Sequence, residues 1–371
     1  MKGLYVHIPF CNSICSYCDF CKMIAKEEVK ENYIDSLIAE LEEYKPLLND
    51  VRSVFIGGGT PNSLNDKTLK RLFDALKPYL DRSNENTIEI NCELLTPSQI
   101  ELFKLYNINR ISIGVQSIDD KLIKLIGRKH NRLQVEKAIN DLNDAGLTNI
   151  NIDMMYGLPG QTMADLRNDY DFLMSQKIKH FSYYSLILED KTILKYQIEH
   201  NQISIPDDDL VADMAEYIYQ KSKKSIFKQY EISNYAIPGY ESIHNLGYWN
   251  WEEYVGIGLN ASGFINGIRY RNNNIITKYQ VARIAETEEI GLLDGKKEFM
   301  MLGLRKLDGI DINDYYKHFG SYPETDFNID KLKKLGLLVI QNDNIRIKEE
   351  KILLGNIVFE EFVRWLDAKR K

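Results

Sequence analysis

The sequence predicts an α/β chain. Residues 1–205 read as an incomplete (β/α)6 barrel, and residues 206–371 as a C-terminal α+β and helical domain with a winged-helix-like end. Three observations predict this. From Gly3 to Met155, short apolar segments alternate with amphipathic stretches at the spacing of βα units. Several of those segments carry a polar residue at every second position, which strands covered by helices on both faces would not do. Past Asp207 the alternation stops, and a long helical pattern leads into an aromatic-rich stretch and then a run of helices.

The first strand is Gly3–Ile8, ended by Pro9. Glu27–Tyr44 follows as a helix with Tyr33, Ile34, Leu37, Ile38 and Leu41 on one face, stopping before Pro46. Ser53–Ile56 is a strand that runs into Gly57-Gly58-Gly59-Thr60-Pro61, and Asp66–Leu80 is the next helix. Thr87–Cys92 places Glu89 and Asn91 on one face, with Ile88, Ile90 and Cys92 on the other. In Arg110–Gln116, Ser112, Gly114 and Gln116 oppose Ile111, Ile113 and Val115. Asn131–Ala145 has an amide cap at its start and Gly146 after its end. In Asn149–Met155, Asn149, Asn151 and Asp153 oppose Ile150 and Ile152. Thr162–Ser175 starts with Asp165 three positions after Thr162, close to a capping box. His180–Leu188 is the sixth strand.

Six units of this kind make either a partial barrel or an open wound sheet. One polar face on three strands favours a barrel with helices outside and a polar interior. An eightfold barrel packed in the ordinary way would carry Val, Ile and Leu inside.

Asp207–Gln229 reads as one long helix. The irregular stretch after it holds Tyr230–Ala236, His244, Tyr248, Trp249 and Trp251, then a glycine-rich turn-and-strand segment from Gly256 to Phe264. Helices are expected at Lys296–Leu304, Ile312–His318 and Asn328–Lys334. A hairpin turns at Asn342-Asp343-Asn344, and Ile352–Lys369 closes the chain.

Composition narrows the function classes. Charged residues are 27% and apolar residues 44%, values of a globular protein. The net charge of −7 and the lack of a basic recognition helix argue against nucleic acid as a partner. No apolar run has the length of a membrane span, and His7 and Pro9 interrupt any leader-like segment, so a cytoplasmic protein is expected.

Four of the five cysteines lie between Cys11 and Cys21, which does not suit a disulfide framework in a chain of this size. Cys11, Cys15 and Cys18 can hold three irons of a four-iron cluster, leaving one corner open. The competing reading is structural zinc on Cys11, Cys15, Cys18 and Cys21. Zinc modules, however, usually bring two knuckles separated by a longer stretch. Cys21 reads as a free thiol and Cys92 as core. The glycine triplet lacks the ending of a phosphate loop, and suits close backbone approach to a polar ligand. Glu89, Gln116 and Asp153 lie at or near the C-terminal ends of successive strands, where α/β enzymes place their sites, and Arg128 follows one helix later. The alternative for each is a buried polar network that only stiffens the core. S-adenosylmethionine, with its amine, carboxylate and ribose, would use all of these groups, and its amine and carboxylate can chelate an open iron.

The Cys-x3-Cys-x2-Cys loop after Tyr5-Val-His-Ile-Pro-Phe10, with Gly57-Gly-Gly-Thr-Pro61 one unit later, is similar to the radical S-adenosylmethionine superfamily. The likeness continues through Arg110–Ser117, Ile152–Thr162, Tyr230–Asn234, His244–Trp249 and Phe299–Leu304, and so covers nearly the whole chain. Within the superfamily it resembles the oxygen-independent coproporphyrinogen III oxidase group, on its haem chaperone branch. The resemblance implies Cys11, Cys15 and Cys18 as ligands of a [4Fe-4S] cluster. It implies Tyr5, Tyr17, Gly58, Gly59, Thr60, Glu89, Gln116, Arg128 and Asp153 as S-adenosylmethionine contacts, and His244 as the haem-contacting residue. It also implies haem or a porphyrin as ligand, a haem-accepting apoprotein as partner, a flavodoxin or ferredoxin as electron donor, and peripheral membrane contact through the recipient. The expected function is delivery of haem to apoproteins. The alternative is an enzyme, the radical oxidative decarboxylation of coproporphyrinogen III.

Three departures bear on that choice. Phe20 stands where the decarboxylase carries a further cysteine, Cys92 stands where the group has proline, and Ser262 replaces a histidine common near the glycine-rich segment.

Overall fold

In the computed structural model, which describes residues 2–369, the first strand sits in the middle of a twelve-stranded sheet. Six strands run in chain order: β1 (Gly3–Ile8), β2 (Ser53–Gly58), β3 (Glu85–Ile90), β4 (Arg110–Gln116), β5 (Ile150–Tyr156) and β6 (His180–Ser185). Each is parallel to the next. The helices between them, among them Glu27–Tyr44, Asp66–Leu80, Arg132–Asp144 and Met163–Ser175, make these βα units. Both capping signals work. Asn131 with Gln134, and Thr162 with Asp165, form complete capping boxes.

The strands turn their apolar faces outward. Leu4, Val6 and Ile8 of β1, Ile111, Ile113 and Val115 of β4, and Ile150, Ile152 and Met154 of β5 are fully buried. They share one core with Tyr33, Leu37, Leu72, Phe73, Val135 and Leu173 from the helices. Each such side chain contributes about 1.5–3 kcal/mol. The polar faces therefore point inward, as the alternation predicts.

The barrel does not close, and the sheet continues beyond residue 205. On one side β6 pairs antiparallel with β8 (Asn234–Ala236), which pairs with β7 (Lys228–Gln229). On the other side β9 (Tyr254–Ile257) runs parallel to β1, and β10 (Ser262–Ile265), β11 (Ile268–Asn272) and β12 (Ile284–Glu289) follow antiparallel. The two edges, β7 and β12, remain apart in the strand order. The fold is an incomplete (β/α)6 barrel with flanking antiparallel strands.

A second core gathers Phe299, Met300, Tyr315, Ile345, Val358 and Phe362. It lies among the helices Leu292–Gly303, Ile312–Phe319 and Gly355–Lys369 and a small sheet of β13 (Ile310–Asp311), β14 (Leu338–Gln341) and β15 (Asn344–Ile347). Asn342 and Asp343 both have positive φ, as the tight β14–β15 hairpin requires.

Several boundaries differ from expectation for local reasons. β3 ends at Ile90, not Cys92, because Asn91 exchanges two 3.0 Å hydrogen bonds with the Asn62 side chain and leaves the ladder. The helix expected to reach Gln229 stops at Lys223. Ser225 Oγ donates to the Ser222 carbonyl and accepts from Phe227 N–H, which turns the chain into β7. The stretch read as irregular contains a helix, Ile243–Trp249, started by Ser242. Pro97–Leu105 is a further helix, capped by Thr96 with proline in its first turn.

Candidate functional site

The cysteine loop is held from both sides. Cys11 N–H donates to the Met23 carbonyl at 3.0 Å, and Met23 N–H donates to the Pro9 carbonyl at 2.7 Å. Ser16 N–H donates to the Ile126 carbonyl, and Leu194 N–H donates to the Ser16 carbonyl. Phe10 is fully buried edge-on against Tyr33 and pins the start of the loop. Cys11, Cys15 and Cys18 are free thiols of intermediate burial. Burial raises the pKa of Cys11 and Cys18, while the Thr60 hydroxyl, donating to Cys11 Sγ at 3.5 Å, and the Lys22 ammonium oppose that rise.

The three thiols open into a cavity of 480 Å³ at the C-terminal ends of the strands. Tyr17, Gly58, Gly59, Thr60, Glu89, Gln116, Arg128 and Asp153 line the same cavity. Eleven sequence-predicted residues thus meet in one space. Tyr5 does not line it. It faces an adjoining cavity of 340 Å³ with His7, Phe20, Cys21 and Tyr248, and Gly58 and Glu89 border both spaces.

Each polar group is held by a neighbour. Gly58 N–H donates to Glu89 at 2.9 Å. Ser112 Oγ and Asn151 Nδ2 donate to Asp153 at 2.8 and 2.9 Å. Arg128 donates to Gln116 Oε1, to Asn91 Oδ1 at 2.8 Å and to the Gly114 carbonyl. Gln116 has φ 67° at an irregularity in the β4–β5 pairing, a left-handed conformation that re-aims its amide toward Arg128. Of the glycine triplet, Gly58 has a positive φ of 111°, and a Cβ there would also collide with the His7 ring. Burial raises Glu89 to about 7, with Asp153 adding to the rise and Gly58 N–H and Arg110 opposing it. Tyr17 and Cys15 raise the Arg128 pKa against the effect of its burial, so the guanidinium stays charged.

The arrangement fits the groups the sequence suggests. Tetrahedral zinc with Zn–S bonds near ~2.3 Å needs sulfurs about 3.8 Å apart. Among the described residues, the ligand atoms that gather within 4.8 Å are those of Cys92, Glu93 and His130, not the three loop thiols. Thiolates bound to different irons of a cubane stand farther apart than thiolates on one zinc. Cys21, the fourth zinc candidate, lines the adjoining cavity instead. Carboxylates, a fixed guanidinium and glycine N–H groups beside three thiols are the donor set for an amino-acid and ribose-bearing ligand.

His244 lies outside both cavities. Its ring is 3% exposed, hydrogen-bonded at one nitrogen to Ser53 Oγ (2.9 Å) and at the other to Tyr248 OH (2.8 Å), and stacked on Phe55 at 5.1 Å. Burial, with Arg110 adding to it, lowers its pKa to about 3. The nearby aromatics are also spent on packing. Trp251 sits among Phe264, Phe299 and Phe319, and Arg305 lies 4.5 Å over Trp249.

The chain matches the Radical SAM superfamily over residues 5–173 and the HemN C-terminal domain over residues 294–354. It is 38% identical over 370 residues to the protein named "Heme chaperone HemW" of Lactococcus lactis, covering 98% of this chain and 97% of that one. It is 35% identical to the Bacillus subtilis protein of the same name, covering 98% and 99%. The chain belongs to the HemW branch of the radical SAM superfamily. In fold, this HemW-branch chain is similar to Escherichia coli coproporphyrinogen III oxidase (HemN), described as a radical SAM enzyme. The TM-score is 0.84 at 20% identity, over 97% of this chain and 89% of that one. Membership implies a cluster and S-adenosylmethionine for this branch. Among the described residues, no helix is long and apolar enough to cross a membrane.

Sequence reasoning placed Asn91, Ser112 and Asn151 on the polar strand faces without giving them a role, and left out Arg110 and Tyr184. Ser112 and Asn151 fix Asp153, Asn91 fixes Arg128, and Arg110 and Tyr184 line the cavity. The signal was available for Arg110, which shares the polar face of β4 with Ser112 and Gln116.

Proposed function

We propose that this chain is a haem chaperone: it holds a [4Fe-4S] cluster on Cys11, Cys15 and Cys18, binds S-adenosylmethionine in the adjoining cavity, and delivers haem to an apoprotein. The observation that carries the reading is the convergence of three thiols with Glu89, Gln116, Arg128 and Asp153 on one cavity, in a chain whose full-length relatives bear the name "Heme chaperone HemW". When bound, the cluster would supply single-electron chemistry at its open iron. The chain's own groups have simpler tasks. Glu89 and Asp153 hold amine and ribose hydroxyls, Gly58 and Gly59 offer backbone, and Arg128 keeps Gln116 in place. Residues 1–205 provide these functions, and residues 206–371 carry the haem-associated segment around His244. The protein works in the cytoplasm, with a flavodoxin or ferredoxin as electron donor.

The test is anaerobic reconstitution followed by titration with hemin and transfer to an apo-haemoprotein. A Soret band on this chain that moves to the acceptor supports the reading. Absence of haem binding by the reconstituted wild type ends it. Conversion of coproporphyrinogen III to protoporphyrinogen under reductant would replace it with the oxidase reading.

A further inference from the structure

The polar face of β4 begins with Arg110, which is 2% exposed and lines the 480 Å³ cavity. Its Nε has no hydrogen-bond partner, and no carboxylate among the described residues pairs with the guanidinium. Its register partner on β3 is Thr87, fully buried, whose hydroxyl is also without a partner. By the alternation of β3, Thr87 shares the inward face with Glu85 and Glu89. A buried guanidinium with an unmet Nε–H and a buried unmet hydroxyl therefore stand side by side.

The carboxylates near Arg110 make their hydrogen bonds to other groups, and Arg110 acts on Glu89 only through space. Glu85 accepts from Ser242 Oγ and from the N–H groups of Ile243 and His244. Glu89 accepts from Gly58, and Asp153 from Ser112 and Asn151. The neutral groups nearby are engaged too, since His180 bonds Asn151 through one nitrogen and Tyr230 through the other. A buried donor left without an acceptor costs about 1–3 kcal/mol, and more on a charged group.

We propose that Arg110 and Thr87 form a carboxylate subsite in the barrel cavity that receives a propionate arm of the tetrapyrrole. This deepens the haem-chaperone reading and rests on it. A planar guanidinium matches a carboxylate through two parallel N–H bonds, and the Thr87 hydroxyl adds a third donor. A singly charged anion suits the site, since Glu89 and Asp153 line the same cavity and would repel a doubly charged phosphate. Arg110 starts β4 and Gln116 ends it, so the subsite lies away from the end where Gln116 and Arg128 meet.

The experiment titrates hemin and hemin dimethyl ester into the cluster- and S-adenosylmethionine-loaded protein, read by Soret absorbance. In the wild type the ester should bind at least about tenfold more weakly, the cost of leaving a buried charge unpaired. Arg110→Gln should weaken hemin by a similar factor and bring the acid-to-ester ratio near one. Arg110→Lys should restore part of the ratio, and S-adenosylmethionine affinity should stay within about twofold of wild type in both variants.

Equal binding of acid and ester by the wild type overturns the subsite while leaving the chaperone reading intact, and needs no variant to fold. An undiminished ratio in Arg110→Gln overturns it as well. A parallel loss of S-adenosylmethionine affinity would assign Arg110 to that ligand instead. If the wild type takes no hemin, the chaperone reading falls. Coproporphyrin III against its tetramethyl ester then decides the subsite alone, with no preference for the acid counting against it.

Discussion

Glu85 caps the helix that carries His244. Its carboxylate accepts the His244 N–H at 3.0 Å, the Ile243 N–H at 2.8 Å and the Ser242 hydroxyl at 3.2 Å, all while 4% exposed. A strand of the barrel thus fixes the start of a helix from the C-terminal half. Glu85→Ala should leave these donors buried and unmet, and cost about 2–4 kcal/mol. Urea unfolding would show it as a lower midpoint. A variant that unfolds with wild type would mean the helix is held by its side-chain packing alone.

His244 is a satisfied core histidine in this conformation, so haem contact requires its ring to leave Ser53 and Tyr248. Two hydrogen bonds then compete with the iron. Tyr248→Phe removes one of them, worth about 1 kcal/mol net, and should raise hemin affinity about fivefold. His244→Ala should abolish the gain. Soret titration of the single and double variants checks the order. Equal affinities in wild type and Tyr248→Phe would mean that His244 does not reach the haem.

How much of this was legible follows from which signals are local. Alternation showed that β3, β4 and β5 turn Glu89, Gln116 and Asp153 to one interior, and caps at Asn131 and Thr162 marked helix starts, because both depend on residues within a few positions. The environment of His244 was not legible. Ser53 is 191 positions away and Glu85 lies 159 away, so nothing near His244 announced that its ring and backbone were occupied. The aromatic run around Trp249 and Trp251 had the composition of a flat binding surface. Trp251 packs on the second core and Trp249 under Arg305, roles set by partners such as Phe299 and Arg305 that come later in the chain.

Glu89 gives the apoprotein a pH dependence of definite sign. Its pKa is about 7 when folded against 4.5 for the free group, so the folded state holds the extra proton between those values. That stability is complete below pH 4.5 and is lost as pH rises through 7. Glu89→Gln should therefore be more stable than wild type at pH 8 by about 2 kcal/mol, allowing for cavity water, and equal to it at pH 4. His244, lowered to about 3, and His7, lowered to about 4, act oppositely: their stability is present above 6.5 and lost as pH falls below it. Urea midpoints at pH 4, 6 and 8 separate the two. A Glu89→Gln profile parallel to wild type would contradict the assignment.

The thiols separate iron from zinc by counting. Cys11→Ser, Cys15→Ser and Cys18→Ser should each lose most of the reconstituted iron and the brown colour, since each removes one of three ligands. Cys21→Ser should keep wild-type iron and sulfide content, because Cys21 faces the adjoining cavity. Loss of the cluster in all four variants would make Cys21 a ligand.

Gly114 tests whether Arg128 matters by its position. The guanidinium lies across β4 where Gly114 has no side chain, and donates to the Gly114 carbonyl and to Gln116. A Cβ at Gly114 would collide with the Arg128 Nη2 atom. Arg128 is the far end of a flexible chain, so it can move aside, giving up its bonds to Gln116 and Asn91. Gly114→Ala should cost about 1–3 kcal/mol of stability and weaken S-adenosylmethionine about tenfold or more, with the cluster intact. Arg128→Gln should weaken the same ligand without the steric penalty, and the double variant should lose little beyond either single one, because both act through one guanidinium. Equilibrium dialysis of labelled S-adenosylmethionine against the reconstituted proteins reads all three. Additive losses in the double variant would show that Gly114 serves the ligand by close backbone approach, independently of Arg128.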